Sequence, residues 1–182
     1  MKGSYGPVRR GSRSVGTVGC EGVLPVKDKV YIETSVISYL AARRSTDLIV
    51  AGHQESTRKW WRERRGEFKA YCSGLVVREA YKGDARVARR RLRLLRGLPV
   101  LRVDQAAEAL AARLTRYGGI QREAPEDALH IAVATVHGMD YLLTWNCKHI
   151  ANAEIRWNLS ATCSADGLVL PIICTPEELM GG

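Results

Sequence analysis

Residues 125–144 read PEDALHIAVATVHGMDYLLT, and this stretch contains the clearest secondary-structure pattern in the chain. Proline is common at the first position of a helix, and residues 125–137 are apolar on most sides. A helix that is apolar all round is buried inside a protein. Residues 140–144 then read as a β-strand. The stretch therefore predicts a buried helix followed by a strand.

The same alternation extends along the rest of the chain. Short β-branched or apolar runs predict strands at 30–33, 68–72, 99–103, 140–144 and 168–174. Helical periodicity predicts helices at about 36–42, 47–65, 74–83, 85–96, 105–117, 125–137 and 150–165. Polar residues that can cap these helices are Thr34 and Ser35, Thr46 or Asp47, Ser73, Asp84 and Asp104. Strands separated by helices predict an α/β fold with a largely parallel sheet between helices.

The charge of the chain suits a polyanion or an acidic protein as partner. Its 182 residues include 28 Lys and Arg against 19 Asp and Glu, a formal net charge of +9. This length suits one domain, and a hydrophobic fraction of 46% is that of a globular protein. No run approaches the roughly 18 apolar residues of a membrane span, and the first residues do not resemble a secretory signal. We expect a cytoplasmic protein with no membrane association.

The N-terminal part of the chain differs from the remainder. Residues 1–27 contain six of the 17 glycines and have no hydrophobic periodicity. We interpret them as a flexible extension or a mis-called gene start, followed by one folded domain over residues 28–182.

Five widely spaced cysteines argue against a structural zinc. They are Cys20, Cys72, Cys147, Cys163 and Cys174, and no pair has zinc-finger spacing. We expect reduced cysteines, most of them buried.

Four oxygen-bearing side chains follow the predicted strands. Glu33 closes the first strand, Glu79 lies in the helix after the second, and Asp127 lies in the first turn of the buried helix. Asn146 follows the strand that ends at Thr144. Ligands of parallel sheets bind beyond the carboxyl ends of the strands, so these groups are expected to converge there. Crowded carboxylates need a cation or a proton to offset their repulsion, and oxygen ligands suit Mg²⁺ or Mn²⁺.

Four segments that contain these residues resemble, in the same order, the signature segments of PIN-domain nucleases. They read VYIETS at 30–35, LVVRE at 75–79, PEDALHIA at 125–132 and YLLTWN at 141–146. The third segment is the most specific and the second is the weakest. The resemblance covers roughly residues 30–175.

The resemblance implies a fold, an activity and partners. The fold is a three-layer α/β/α arrangement with a central, mainly parallel five-stranded sheet. The activity is that of a Mg²⁺- or Mn²⁺-dependent endoribonuclease with one or two ions. Many bacterial members are VapC-type toxins of type II toxin–antitoxin pairs, which cleave RNA, often form homodimers and are silenced by a small antitoxin. The implied catalytic set is Glu33, Glu79, Asp127 and Asn146, and the implied metal ligands are Glu33, Glu79 and Asp127.

Two residues depart from the family pattern. The first acid is usually aspartate but here is Glu33, and the acid expected after the threonine is replaced by Asn146. We expect weaker metal binding or a single ion, because an amide brings no charge. One alternative is a degenerate PIN module that binds RNA or a protein without cutting. Another, a nucleotide-binding α/β protein, is disfavoured because no glycine-rich phosphate loop follows the first strand.

Further residues are candidates for holding the substrate. The hydroxyls of Thr34, Ser35 and Thr144 lie near the expected site and suit binding of the phosphate or of a metal-bound water, although capping is an equal alternative. Candidate RNA-binding side chains are Arg86, Arg89, Arg90, Arg93, Arg58 and Trp61. We expect His130 to be a core histidine with satisfied hydrogen bonds.

Overall fold

The computed structural model describes residues 26–181. The predicted N-terminal extension therefore lies almost entirely outside the described residues, as does Cys20. Cys72, Cys163 and Cys174 are buried free thiols, and Cys147 is exposed. Among the described residues, no helix combines the length and apolar character needed to cross a membrane.

Strands and helices alternate along the described chain. The strands are β1 (Lys29–Ile32), β2 (Lys69–Ser73), β3 (Val100–Leu101), β4 (Tyr141–Leu143) and β5 (Ile172–Cys174). The α-helices are α1 (Thr34–Ala41), α2 (Leu48–Glu63), α3 (Gly74–Ala80), α4 (Ala85–Leu95), α5 (Gln105–Tyr117), α6 (Pro125–Val136) and α7 (Arg156–Ser164). Short 3-10 helices span Arg65–Glu67 and Glu178–Met180.

The five strands form one parallel sheet in the order β3-β2-β1-β4-β5. Strand order reverses between β1 and β4, which pair with Tyr31 opposite Leu142. In such sheets the crevice beyond the carboxyl ends of the strands at the reversal is the usual ligand site. The fold thereby places the ends of β1 and β4 side by side.

Helices cover the sheet in two groups, which confirms the predicted three-layer α/β/α fold. Helices α1 to α4 pack against one another, and α5 packs against both α6 and α7. Helix α6 is the most buried, since residues 130–135 are all inaccessible to solvent. Its small and branched side chains, such as Ala132 and Val133, fit between α5 and the sheet. The prediction of a buried helix at this position is confirmed.

The helix N-caps agree with the sequence except at α1. The side chains of Asp47, Ser73, Asp84 and Asp104 each accept a hydrogen bond from the first turn of their helix, as predicted. The prediction that Thr34 or Ser35 caps α1 is wrong, because Glu33 is the N-cap and accepts from the Ser35 backbone N–H. A glutamate can do this since its longer side chain folds back over its own helix.

Several predicted elements are shorter than expected, including β3 and β4, and the largest differences are at β5 and α7. Strand β5 begins at Ile172 rather than 168, because Pro171 has no N–H to donate to the ladder. Helix α7 begins at Arg156 rather than 150, because the preceding segment forms turns. In these turns Asn146 O accepts from Ile150, and Asn152 Oδ1 accepts from Glu154.

The contact between α5 and α7 makes Gly118 a test of the packing. A Cβ at Gly118 would lie 2.6 Å from Leu114 O and 3.0 Å from Leu159 Cδ2. We expect Gly118→Ala to lower the free energy of unfolding by about 1–3 kcal/mol, as overpacking does. Gly66→Ala is the control, since nothing lies within 4 Å of its Cβ position, and it should stay within about 1 kcal/mol of wild type. Urea unfolding measures both, and equal stability of the two variants would contradict this packing.

Candidate metal centre

Glu33 lies at the end of β1 and joins two strand ends. Its Oε2 accepts hydrogen bonds from Ser35 N at 3.0 Å, from Thr144 Oγ1 at 2.8 Å and from the Ser35 hydroxyl. The residue is only 6% exposed. Buried carboxylates need hydrogen bonds or cations, and three donors converge here on one of the two oxygens.

Glu79 in α3 faces the same space. Its Oε2 accepts from the Thr34 hydroxyl and from His130 Nε2, the latter at 3.1 Å. Burial raises the pKa of Glu79, but the hydrogen bond and charge of His130 and the hydrogen bond from Thr34 outweigh it. The net pKa therefore lies below the ordinary value of a glutamate. This side chain is poised as a carboxylate.

His130 is a member of this group that sequence reasoning assigned only to the core. It is 1% exposed, and its Nδ1 lies 2.7 Å from the Tyr31 hydroxyl. Its Nε2 lies 3.1 Å from Glu79 and 3.9 Å from Glu33 Oε1. The prediction of a buried, hydrogen-bonded histidine is confirmed, but two of its neighbours are site carboxylates. Its position three residues after Asp127, on the same helix face, was the available signal.

Within the described part of the chain, Glu33, Glu79 and His130 offer ligand atoms that all lie within 4.8 Å of one another. Two of these residues belong to the predicted metal set. The third predicted ligand, Asp127, is not in this group, although it lies one helical turn before His130 on α6. The set of Glu33, Glu79 and Asp127 therefore stays a prediction.

Asp127 is paired with the amide that replaces the fourth acid. Asn146 Nδ2 donates to Asp127 Oδ1 at 2.9 Å, and Asn146 Oδ1 accepts from His149 N at 3.2 Å. Burial raises the pKa of Asp127, and although the bond from Asn146 opposes this, the pKa stays above its ordinary value. The nearby charge of Glu33 contributes to this rise, which is electrostatic coupling between the acids.

The three carboxyl groups retain free oxygens for a cation. Among the described residues, all hydrogen bonds to Glu33 and Glu79 are accepted by Oε2, and those to Asp127 by Oδ1. The second oxygen of each group accepts none from these residues. Hard divalent cations such as Mg²⁺ and Mn²⁺ prefer carboxylate oxygens, so this donor set fits such an ion.

The hydroxyls near the site hold the carboxylates. Thr34 donates to Glu79, while Ser35 and Thr144 donate to Glu33. The Ser35 oxygen also accepts from Trp145 N at 2.8 Å, and the Thr144 oxygen accepts from Asn146 N at 2.9 Å. Their predicted role in holding phosphate or water stays a prediction, whereas their bonds to the acids are structural.

An aromatic cluster missed by sequence reasoning stands beside the acids. The rings of His53 and Trp145 stack with centroids 4.1 Å apart, and Tyr39 meets both edge-on. Trp145 Nε1 donates to the buried Thr57 hydroxyl at 2.7 Å. Trp145 belongs to the fourth signature segment, but its partners lie 92 and 106 residues earlier, beyond the reach of local pattern.

Two clefts meet at Tyr39. The first, about 460 Å³, contains Glu33, Glu79 and the hydroxyls of α1, and Lys82 lies on its wall. The second, about 620 Å³, lies between α1, α2 and α4. Ser38 and Tyr39 line both clefts, so the two clefts are neighbours.

The predicted RNA-binding residues fall into two groups. Arg86 and Arg90 line the second cleft, together with Arg43 and Arg91. Arg89, Arg93, Arg58 and Trp61 are not in its lining. Arg58 instead bonds Ala42 O at 3.4 Å and lies 3.7 Å from Glu55, and the Trp61 ring is covered by Arg65 at 4.9 Å.

Comparison with known proteins identifies relatives of this fold. The PIN domain family model matches residues 30–151, more than half of the chain. The structure is similar to VapC20 of Mycobacterium tuberculosis, a sarcin–ricin loop cleaving toxin, with 16% identity and a TM-score of 0.53 over 68% of this chain and 95% of that one. It is also similar to VapBC2 of Rickettsia felis bound to a promoter DNA fragment, with 13% identity and a TM-score of 0.49 over 81% and 98%. No curated protein matches the sequence significantly.

The hydrogen bond between Asn146 and Asp127 predicts how an aspartate at position 146 would change the stability of the protein. Asn146→Asp replaces an amide donor 2.9 Å from Asp127 with a second carboxylate. In EDTA we expect the free energy of unfolding to fall by about 1–3 kcal/mol, since the donor is lost and like charges face each other. Mg²⁺ should restore most of this loss.

Asn146→Ala is the matched control, because it removes the donor without adding a charge. Its unfolding should respond to Mg²⁺ no more than that of wild type. Urea unfolding with EDTA or Mg²⁺ gives both numbers. An Asn146→Asp variant that is indifferent to Mg²⁺ would argue against a cation between these side chains.

Proposed function

The chain belongs to the PIN domain family, and we propose that it is a metal-dependent endoribonuclease acting as the toxin of a type II toxin–antitoxin pair. One observation carries this proposal. At the reversal of strand order, Glu33, Glu79 and Asp127 each keep one oxygen free while the other is held by the protein. Such preorganised, unneutralised carboxylates suit a Mg²⁺ or Mn²⁺ ion and the cleavage of a phosphodiester by water.

The residues of the chain have distinct roles in this reaction. A bound divalent cation supplies an activated water and neutralises charge on the scissile phosphate. Glu33, Glu79 and Asp127 hold that cation, and Thr34, Ser35 and Thr144 keep two of them in fixed rotamers by donating hydrogen bonds. Asn146 orients Asp127 in the same way. Such preorganisation means that little rearrangement accompanies the developing negative charge.

The substrate proposal rests on the basic cleft beside the acids. Arg86 and Arg90 line this cleft, which joins the acidic one at Tyr39. A polyanion that lies along the arginines would present one phosphate to the acids, and unpaired bases can stack on aromatic rings. We therefore favour single-stranded or looped RNA as substrate. The similar fold of VapC20, a toxin that cleaves the sarcin–ricin loop, is in keeping with this class.

The proposed biological role adds partners. We propose a small antitoxin that silences the enzyme and a homodimeric assembly, as the PIN-domain resemblance implies. The chain is basic, with a net charge of +9, which suits an acidic antitoxin segment as well as RNA.

Cleavage of a mixed RNA pool tests the enzyme directly. We expect the purified protein to cut RNA with Mn²⁺ or Mg²⁺ and not in EDTA. Asp127→Asn should lower the rate by more than about 100-fold, since even outer-shell partners of a metal are worth about 10- to 100-fold. Asp140→Asn is the matched control, because Asp140 precedes β4 at the opposite edge of the sheet, and it should cut normally.

The variants Asp127→Asn and Asp140→Asn also test the toxin role in cells. Expression of the wild type or of Asp140→Asn should arrest growth, and Asp127→Asn should relieve the arrest. A folded protein that neither binds Mn²⁺ nor cuts RNA would instead establish a degenerate binding module. Equal growth arrest by all three proteins would contradict the catalytic explanation.

Salt dependence tests the arginine-lined cleft. In the Asp127→Asn background, replacing both Arg86 and Arg90 by alanine should weaken single-stranded RNA binding. The slope of log affinity against log salt should fall in magnitude by about 1.4, since each lost phosphate contact with a single strand is worth about 0.7. Lys69→Ala is the control, since Lys69 is exposed at the start of β2, on the opposite edge. Fluorescence anisotropy at several salt concentrations measures the slopes, and an unchanged slope would exclude this cleft as the RNA path.

A further inference from the structure

His130 has one ring nitrogen at the metal centre, and that atom has two incompatible uses. Its Nε2 belongs to the group of ligand atoms with Glu33 and Glu79, so it could bind a cation through its lone pair. It also lies 3.1 Å from Glu79 Oε2, where it could donate a proton. A neutral imidazole has a proton on only one nitrogen. The protonation of Nδ1 therefore decides whether Nε2 binds a cation or donates a hydrogen bond.

A buried chain of hydrogen bonds leads to that other nitrogen. Ser73 Oγ lies 2.7 Å from the Tyr31 hydroxyl, which lies 2.7 Å from His130 Nδ1. Ser73 and Tyr31 are 0% exposed and His130 is 1% exposed. Water therefore has no access to these groups, and each must be satisfied by its neighbours.

The N-cap of α3 indicates which group donates in each of these hydrogen bonds. Ser73 Oγ accepts from Val76 N at 3.3 Å as the N-cap of α3, and its only other partner among the described residues is the Tyr31 hydroxyl. The Ser73 proton therefore meets an acceptor only if it is donated to Tyr31. Tyr31 then donates its proton to His130 Nδ1. That nitrogen carries no proton in this arrangement, and Nε2 carries the one proton of the ring. Every donor in the chain meets an acceptor, and the last acceptor is the carboxylate of Glu79.

If the hydrogen bonds between Ser73, Tyr31 and His130 ran in the opposite direction, two acceptors would face each other. With the proton on Nδ1, the Nε2 lone pair would point at Glu79 Oε2 across 3.1 Å with no proton between them. Glu79 Oε2 already accepts a hydrogen bond from the Thr34 hydroxyl, so it acts as an acceptor at this position. Two facing acceptors are disfavoured, and the cost is greatest for His130, which is only 1% exposed.

We propose that His130 is a positioning residue, which fixes Glu79 through Nε2–H, and that Ser73 and Tyr31 fix its tautomer. The cation site is then made of oxygen atoms alone. This inference rests on the proposed function in taking Glu79 as a metal ligand. With Oε2 held by His130 and Thr34, the oxygen that Glu79 offers is Oε1. Oxygen-only donor sets favour Mg²⁺ or Mn²⁺ over Zn²⁺.

Nitrogen NMR of the full chain reads the tautomer without reference to activity. The protein is labelled with ¹⁵N-histidine, and long-range ¹H–¹⁵N spectra are recorded in EDTA and at saturating Mg²⁺. His130 is one of four histidines, and its signals are assigned by their loss in His130→Asn. We expect a proton on Nε2 in both states. An unprotonated Nε2 in either state would overturn the proposal.

A conservative variant tests the consequence for the site. Tyr31→Phe removes the donor to Nδ1, and we expect the Nε2–H form to lose its dominance. Mg²⁺ affinity and kcat for RNA should each fall by about tenfold, as for other outer-shell partners, with KM for RNA unchanged. Tyr71→Phe is the control, since Tyr71 is the register partner of Tyr31 on β2, and it should match wild type. Unaltered tautomer and Mg²⁺ affinity in folded Tyr31→Phe would overturn the positioning role.

The outcomes separate this proposal from the proposed function. RNA cleavage together with an unprotonated Nε2 would refute the positioning role and leave the nuclease standing. A proton on Nε2 in a protein that cuts no RNA would refute the nuclease and leave the hydrogen-bond chain standing.

Discussion

The candidate site depends on the hydrogen bonds that Glu33 Oε2 accepts from two separate parts of the chain. Ser35 donates from the start of α1, and Thr144 donates from the end of β4, 111 residues away. Both donors are themselves acceptors, Ser35 from Trp145 N and Thr144 from Asn146 N. One carboxylate thus ties the segment after β1 to the segment after β4, at the point where strand order reverses. The cleft is formed by side chains that are already restrained.

The core and the site are continuous through a second set of polar groups. Ser73, Tyr31 and His130 lie inside an otherwise apolar core and carry hydrogen bonds from β2 and β1 to α6 and on to Glu79. Burying three polar side chains would be costly if any of them lacked a partner. Because each has one, the cost is offset and the groups gain a defined orientation. The rigidity of the site therefore derives from the same packing that stabilises the sheet.

Acidic and basic side chains occupy separate, neighbouring parts of the surface. Acidic groups are concentrated at the strand ends, and arginines line the cleft that joins them at Tyr39. Asn146 limits the repulsion among the acidic groups, because it gives Asp127 a hydrogen-bond donor where a fourth carboxylate would have added negative charge. This arrangement lets the acids coexist before any cation is bound.

The sequence by itself determined the features that depend on local spacing. The α/β alternation, the buried helix α6 and the caps at Asp47, Ser73, Asp84 and Asp104 all follow from neighbouring residues, and the structure agrees. It also pointed to Glu33, Glu79, Asp127 and Asn146, because strand ends meet at one edge of a parallel sheet. Only the tertiary structure decided that Glu33 caps α1, that His130 faces Glu79, and that His53 stacks on Trp145. The two pairwise contacts join residues 51 and 92 positions apart, and periodicity reports the face on which a side chain lies, not the partner that it meets.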